Sequence, residues 1–569
     1  MDVEIGDGLT VTKEPSVIEE LAYRDTWGRG ADSYVQMAYE RLILIRDLMA
    51  PEGVLFVHCD WHVNYLLRSL LSEIFGADNH VNEIIWHYYN KMQGNVNRFA
   101  ANHDTIYWFR KGTQFFFEPQ KEERESTTRQ IKRVWDKQKQ KIVNAKGPDG
   151  KVLYIETDEK GVDDVWTLSM LQPADRTENL GYATQKPESL LSRIIMAASV
   201  PGDLVADFFC GSGTALSVAE QRGRKWIGCD LGRFAIHTSR KRLIGVQRQL
   251  KAEGKPYRSF EILNLGKYER QYFAGIDPTL PEKERAALSA QKEEHYVTLI
   301  LMAYKAERVF QSPPFHGRKG NAFVVVGPLD APVTRWQIDE AVDACRKLKV
   351  SRLDVLGFEF EMGVSPQCVD EAKQKGVTLA LRYIPKEVFD KRAVDKNQVV
   401  FYDVAYVEVQ PVVKGRKVTV KLEDFGVSYR QDDVDALAGE MKAGTKVTVA
   451  DGQVVKITKD KKGVVSREVL TKKWEDWIDY WAVDFDFTRR PETIVVTLPD
   501  ATGRMVDRPQ RTGGYIFENE WQSFRTRRDR KLELESAPHE YAAKGKYKIA
   551  VKVIDIFGND TTKVIEVSV

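Results

Sequence analysis

Residues 184–230 constrain this chain more than any other stretch. Leu204-Val205-Ala206-Asp207-Phe208-Phe209 is an apolar run that takes up an acid, and Cys210-Gly211-Ser212-Gly213-Thr214 is a glycine turn opening a helix. Trp226-Ile227-Gly228-Cys229-Asp230 is a second apolar run closed by a second acid. Strand, glycine turn, helix and acid-tipped strand form the layout of a nucleotide-type cofactor site at the carboxyl edge of a parallel sheet.

The two acids narrow the ligand. Gly211 and Gly213 let the main chain approach it closely, where a Cβ would clash. Asp230 lies 23 residues beyond Asp207 (230 − 207), the separation at which a carboxylate can accept both ribose hydroxyls of an adenosine. Dinucleotide sites carry GxGxxG and cradle a pyrophosphate. Here the third glycine is missing, and Asp207 at the loop entrance would repel an anion. A cationic, phosphate-free ligand such as S-adenosyl-L-methionine suits the acids better.

At 569 residues the chain is too long for one core, so about two to four domains are expected. A net charge of +2 leaves nucleic-acid binding unreadable from the total. No apolar run reaches the roughly 18 residues that span a bilayer, and the polar, acidic start MDVEIGDGLT predicts no secretory signal. Cys59, Cys210, Cys229, Cys345 and Cys368 form no CxxC pair, which argues against a disulfide framework and predicts a cytoplasmic protein.

Periodicity divides the chain. Helices are expected over Tyr34–Met49 and Val63–Phe75, with strands at 54–57, Glu83–Tyr88 and Thr105–Phe109. Strand 204–209, helix 214–222, strand 225–229, helix 233–251 and strand 259–263 complete a Rossmann-like α/β domain with a mostly parallel sheet over 1–270. Between them, about 115–180 reads as an insertion. A smaller α/β unit is expected over 271–405, with a helix at 293–309. Alternating runs such as Lys417–Lys421 and Tyr547–Val553 then predict a β-rich, sandwich-like domain over 406–569.

With these residues laid out, Asp207–Thr214 resembles the cofactor motif of DNA amino-methyltransferases. Thr184-Gln185-Lys186-Pro187 resembles the TQKP motif that precedes it in the β-class order. Tyr23-Arg24-Asp25-Thr26-Trp27-Gly28, Val57-His58-Cys59-Asp60, Ile84-Ile85-Trp86 and Asn102-His103-Asp104-Thr105-Ile106 are similar to modification subunits of type III restriction systems. The resemblance covers about residues 1–270. It implies that Asp207, Phe209, Gly211, Ser212 and Gly213 surround the methionine end of S-adenosyl-L-methionine. It further implies that Asp230 holds the ribose and that Thr184, Gln185 and Lys186 cap the site. The implied activity is methyl transfer to the exocyclic amine of adenine (N6) in double-stranded DNA, with cytosine N4 the less favoured target. A restriction (helicase–nuclease) subunit and a second copy of the chain are the implied partners.

One element of that family is missing. Its D/N/S-P-P-Y/F tetrad presents oxygens to the target amine and stacks an aromatic ring on the flipped-out base. In β-class order it precedes the Tyr34–Met49 helix, so the catalytic residues are expected upstream of Met1, on a longer reading frame or supplied in trans. Ser312-Pro313-Pro314-Phe315 fits the letters but follows the helical run Val297–Phe310, and a solvent-side proline turn is the plainer reading.

Other segments invite weaker readings. Arg129, Lys132, Arg133, Lys137, Lys139 and Lys141 lie in a basic stretch where the family keeps its target-recognition region, so DNA contact is expected there. Arg525–Lys531 could be surface charge or a phosphate contact. His58 and His62 suggest a site wall rather than a metal centre. Trp474–Trp481 reads as a domain-interface anchor. Cys210 follows no proline, which disfavours cytosine C5 chemistry. The rival readings are an inactive fragment and a non-catalytic DNA-binding or assembly subunit.

Overall fold

The computed structural model describes the chain except residues 1, 7–8, 13–30, 92–96, 98, 173, 176, 183, 264–280, 311–312, 330, 362–363, 365, 390, 396–398, 400, 405, 427–443, 451–452, 461, 472, 500–501, 503, 527–528, 557 and 559. The 23–28 motif and Ser312 therefore fall outside the described residues. The chain divides into two compact units, Ala22–Arg258 and Ser259–Val569, the second joined by the N-terminal hairpin β1 (Asp2–Gly6) and β2 (Leu9–Thr12).

The first unit opens with α1 (Ala31–Leu48), β3 (Val54–Cys59), α2 (Asn64–Phe75), β4 (His80–His87) and β5 (His103–Arg110). Alternation along β5 covers both faces of the sheet. Tyr107 and Phe109 pack with Leu67, Leu71 and Phe75 of α2 on one side. Ile106 packs with Ile84, Trp86 and Leu190 on the other. The basic segment folds as β6 (Lys121–Ile131), β7 (Arg133–Asp136), β8 (Lys141–Asn144) and β9 (Tyr154–Gly161), followed by β10 (Val165–Thr167). The unit closes with α3 (Glu188–Ala198), β11 (Leu204–Asp207), α4 (Thr214–Gln221), β12 (Lys225–Gly228) and α5 (Arg233–Ala252).

The sheets of this unit depart from the mostly parallel expectation. Order β10-β4-β5-β3 pairs β10 with β4 parallel, but β5 runs antiparallel to both β4 and β3. Parallel neighbours need a long crossover, and β4 returns into β5 without a helix among the described residues. β11 and β12 pair in parallel as a separate two-stranded sheet. Helix α3 serves both sheets, with Leu190 in the four-stranded core and Ile195 against Val218 and Ala219 of α4. Residues 259–263 form no strand. A strand exists only where a neighbouring edge takes up its N–H and C=O groups, and apolar alternation does not supply that edge.

In the second unit, α6 (Glu282–Tyr304), β13 (Glu307–Arg308), β14 (Gly317–Lys319), β15 (Ala322–Val326), α7 (Arg335–Lys347), β16 (Arg352–Gly357), α8 (Pro366–Gln374), β17 (Thr378–Tyr383) and β18 (Tyr402–Asp403) build a six-stranded mixed sheet. Val325, Leu353 and Val355 face Ile338 and Val342 of α7. Val324, Val326 and Leu356 face Val297 and Ile300 of α6. The expected 293–309 helix stops at Tyr304, where Lys305 turns left-handed and β13 begins. Pro313 and Pro314 form the expected turn, with Pro313 exposed, but Phe315 points inward: its ring is buried and stacks on Phe323 at 4.4 Å, so it is no open base-stacking ring.

Beyond 406 the described residues are mostly β. β19 (Tyr406–Lys414) and β20 (Lys417–Gly426) share one core with β21 (Ile478–Asp484) and β22 (Lys546–Asp555), the last forming a hairpin with β23 (Asp560–Ser568). Trp477 and Trp481 lie inside that core, so the aromatic run is internal packing and not the expected interface anchor. Arg525 is also structural. Its guanidinium donates to Ile478 O, Arg530 O and Glu475 O, each at 2.9 Å, so it is not held out for phosphate. Among the described residues no helix is long and apolar enough to cross a membrane.

Candidate functional site

The carboxyl tips of β11 and β12 are stitched together. Cys229 N–H bonds Asp207 O and Cys210 N–H bonds Cys229 O, both at 2.9 Å. Asp207 accepts Phe209 N–H at 3.1 Å. Asp230 accepts Gly211 N–H on one oxygen and Gly232 N–H on the other, both at 2.8 Å, so each oxygen keeps a lone pair. Burial pushes the Asp207 carboxyl above its ordinary range and the charge of Asp230 adds to this, against the bond from Phe209. Two carboxylates at adjacent strand tips, one acting electrostatically on the other, favour a cation beside them.

The glycines have different reasons. Gly213 sits at φ +71°, and a Cβ there would lie 2.6 Å from Ser239 Oγ. Helix α5 therefore demands that glycine, through close packing rather than through a ligand. Ser239 Oγ also donates to Gly211 O at 3.0 Å. Ser212, expected at the cofactor, is buried with its hydroxyl 3.2 Å from Thr214 Oγ1. Phe209 is 63% exposed beside the two acids. The Cys210 thiol is pushed up to about 12 by burial and then by Asp230 and Asp207, so it is no thiolate nucleophile at neutral pH.

The cap is braced from within. Gln185 donates to Glu178 O and accepts Leu180 N–H, both at 2.9 Å, which staples the 178–185 turn and engages the amide expected to cap a ligand. Thr184 is exposed, and its carbonyl accepts the Lys186 ammonium at 3.3 Å. Glu178 caps α3 by accepting Glu188 N–H at 2.6 Å. Arg242 of α5 then joins cap and loop: it donates to Glu188 at 2.7 Å and to Thr214 Oγ1 at 2.8 Å, while Thr214 Oγ1 donates to Lys186 O at 3.2 Å.

Sequence reasoning missed several groups. Asp104 accepts His58 Nε2 at 3.0 Å and Tyr88 O–H at 3.3 Å. Burial opposes its charge, but the bond and charge of His58, then Lys186 and Tyr88, hold its carboxyl below the ordinary range. Burial lowers the Lys186 ammonium, and the charge of Asp104 works against that shift. His62 is separately paired with Asp60 at 2.9 Å. Among the described residues no group of side chains has metal-ligand spacing. Tyr182 was also missed. Its ring stacks with Phe234 (centroids 6.3 Å apart), and a Cβ at Gly211 would lie 3.2 Å from it. The available signal was an aromatic just before the 184–187 motif.

The six cations expected at DNA are exposed: Arg129, Lys132, Arg133, Lys137, Lys139 and Lys141. Arg129 lies over the Tyr154 ring at 4.5 Å, and Lys139 pairs with Asp136 at 3.6 Å.

Residues 9–241 match the family profile designated N6_N4_Mtase, described as DNA methylase. The type II methyltransferase M.EcaI of Enterobacter cloacae is 29% identical over 271 residues, 39% of this chain and 60% of that protein. The type II methyltransferase M2.DpnII of Streptococcus pneumoniae is 27% identical over 201 residues, 35% of this chain and 63% of that protein. The chain thus spans about three-fifths of the length of these curated relatives. Among solved structures, the M1.HpyAVI–SAM complex is 21% identical with a TM-score of 0.25, covering 36% of this chain and 81% of that one. The cytosine-N4-specific PvuII DNA methyltransferase is 14% identical with a TM-score of 0.26, covering 46% and 78%.

Proposed function

We propose that residues 22–258 form the cofactor-binding part of a DNA amino-methyltransferase that uses S-adenosyl-L-methionine. One observation carries the reading: Asp207 and Asp230 stand at adjacent tips of parallel strands, around a glycine turn. The residues fit that cofactor chemically. Asp230 has one lone pair free on each oxygen for two ribose hydroxyls, and a cation beside Asp207 would offset the burial that raises its carboxyl. The cofactor supplies a methyl group carried on a positive sulfur. Phe209 covers the mouth with apolar surface, and the Gln185 staple and Arg242 hold the cap over the loop. Orientation is the larger share of what such residues contribute.

The motif resemblance supports adenine N6 as the target and a type III-like role in restriction–modification beside a helicase–nuclease subunit. Nucleoside analysis of the methylated DNA separates N6-methyladenine from N4-methylcytosine. A second reading is cofactor and DNA binding without transfer. It is supported by the burial of Phe315, which leaves that ring closed to base stacking. Calorimetric titration with S-adenosylmethionine tests the site, and Asp230→Ala is expected to weaken binding at least tenfold through two lost charge-assisted bonds. Incorporation of tritiated methyl into unmethylated duplex then separates the two readings. Unchanged affinity in Asp230→Ala overturns the site.

A further inference from the structure

Residues 121–161 leave the body of their unit as a stem and a tip. β6 pairs with β9 as the stem, and the short ribbon β7–β8 continues beyond it. Three main-chain bonds close the junction: Lys132 N–H to Leu153 O at 2.8 Å, Ala145 N–H to Lys132 O at 2.7 Å, and Leu153 N–H to Ala145 O at 2.8 Å. The base of the stem is tied to α3. Arg193 pairs with Glu122 at 3.0 Å, and Glu118 N–H bonds Ala197 O at 2.8 Å. The ribbon is therefore a braced projection from the helix that follows the 184–187 cap.

Its register sorts the side chains. Arg133 stands opposite Asn144, and Trp135 opposite Ile142. Opposed residues and alternate residues share a face, so these four make one face. All four are exposed, Trp135 by 56% and Ile142 by 63%. Neither the Arg133 guanidinium nor the Asn144 amide has a partner among the described residues. These two groups match base edges: a guanidinium fork fits guanine O6 and N7, and a carboxamide fits adenine N6 and N7. The apolar pair beside them suits a thymine methyl. Two strands about 4.8 Å apart make a ribbon narrow enough for the roughly 12 Å wide major groove, which admits a two-stranded ribbon. Lys137, Lys139 and Lys141 at the tip supply the complementary charge for phosphates.

We propose that the β7–β8 ribbon enters the major groove of duplex DNA with this face toward the bases, Arg133 and Asn144 reading base edges and Trp135 with Ile142 making the apolar contacts. The assignment rests on the DNA-methyltransferase reading for its choice of nucleic acid. It is tested by selecting duplexes from a random-sequence pool with the full chain, and with Arg133→Ala, Asn144→Ala, Trp135→Ala and the double variant Lys137→Ala/Lys141→Ala. Wild type is expected to enrich a defined sequence. Arg133→Ala and Asn144→Ala should each lose on the order of ten- to hundredfold preference at one base pair while keeping the others. Trp135→Ala should lose preference for a thymine-containing pair. The lysine variant should weaken all duplexes alike and flatten the salt dependence. Melting temperature and S-adenosylmethionine affinity should stay at wild-type values throughout. An identical enriched sequence in all three face variants overturns the proposal, as does a wild-type preference for single strands or for no sequence. A wild type that selects duplexes but takes up no cofactor sinks the methyltransferase reading alone and leaves the ribbon assigned.

Discussion

Arg242→Met removes the guanidinium that ties the 184–188 cap to the glycine turn, and its cost can be worked from the contacts. Arg242 is only 6% exposed at its side chain, whereas Glu188 is 31% exposed. Truncating one partner of a buried pair costs about 3–5 kcal/mol, and the partial exposure of Glu188 places this pair near the lower end, at about 3 kcal/mol. Glu188→Gln keeps an acceptor for Ser217 and leaves the arginine a neutral partner, so about 1–2 kcal/mol is expected there. The double variant removes both charges of this pair, so its loss should fall short of the sum by about 1–2 kcal/mol. Urea unfolding read by amide exchange in peptides from 184–258 measures this region apart from residues 259–569. A loss under about 1 kcal/mol in Arg242→Met, or strict additivity in the cycle, would refute a load shared between cap and loop.

Three further outcomes follow from the same geometry. Because the Asp207 carboxyl is raised in the free protein, a cationic ligand binds its ionised form and must displace a proton at low pH. S-adenosylmethionine affinity should therefore fall with pH through that raised pKa, by up to about tenfold per pH unit. S-adenosylhomocysteine, lacking the positive sulfur, should fall less, and equal slopes in calorimetry would contradict the assignment. Gly213→Ala places a methyl 2.6 Å from Ser239 Oγ at φ +71°, so a loss of about 1–3 kcal/mol is expected in thermal unfolding. An alanine variant as stable as wild type would show that the α5 contact is not close. Trp481→Ala empties a fully buried site packed on Trp521 (ring centroids 4.6 Å apart), and should cost about 3–5 kcal/mol with loss of exchange protection in 406–569. A change under about 1 kcal/mol would return that tryptophan to an interface role.

Much of the local structure was legible in advance. Period and turn residues placed α1, α2, α4 and α5, the strands at 54, 204 and 225, and the shift from α/β to β near residue 406. They did so because a helix or strand writes its buried face into the order of its side chains. The same reading went wrong where a neighbour decides the outcome. Residues 259–263 alternate like a strand but pair with no edge among the described residues, the helix expected to reach 309 stops at Tyr304, and the run expected as an interface anchor has Trp477 and Trp481 inside a core of its own unit.

Chain order alone brought Asp207, the glycine turn and Asp230 to neighbouring strand tips, since a strand–helix–strand run of that length has few ways to close. Only the tertiary structure set Asp104 against His58, 46 residues away, and Arg242 against Glu188, 54 residues away. It alone showed that Gly213 answers to Ser239, and that Arg133 and Asn144 share an open face. The physical reason is that periodicity reports which face is buried and never what buries it. A side chain's charge state and hydrogen-bond partner come from elements distant in sequence, and these are settled only when the chain packs.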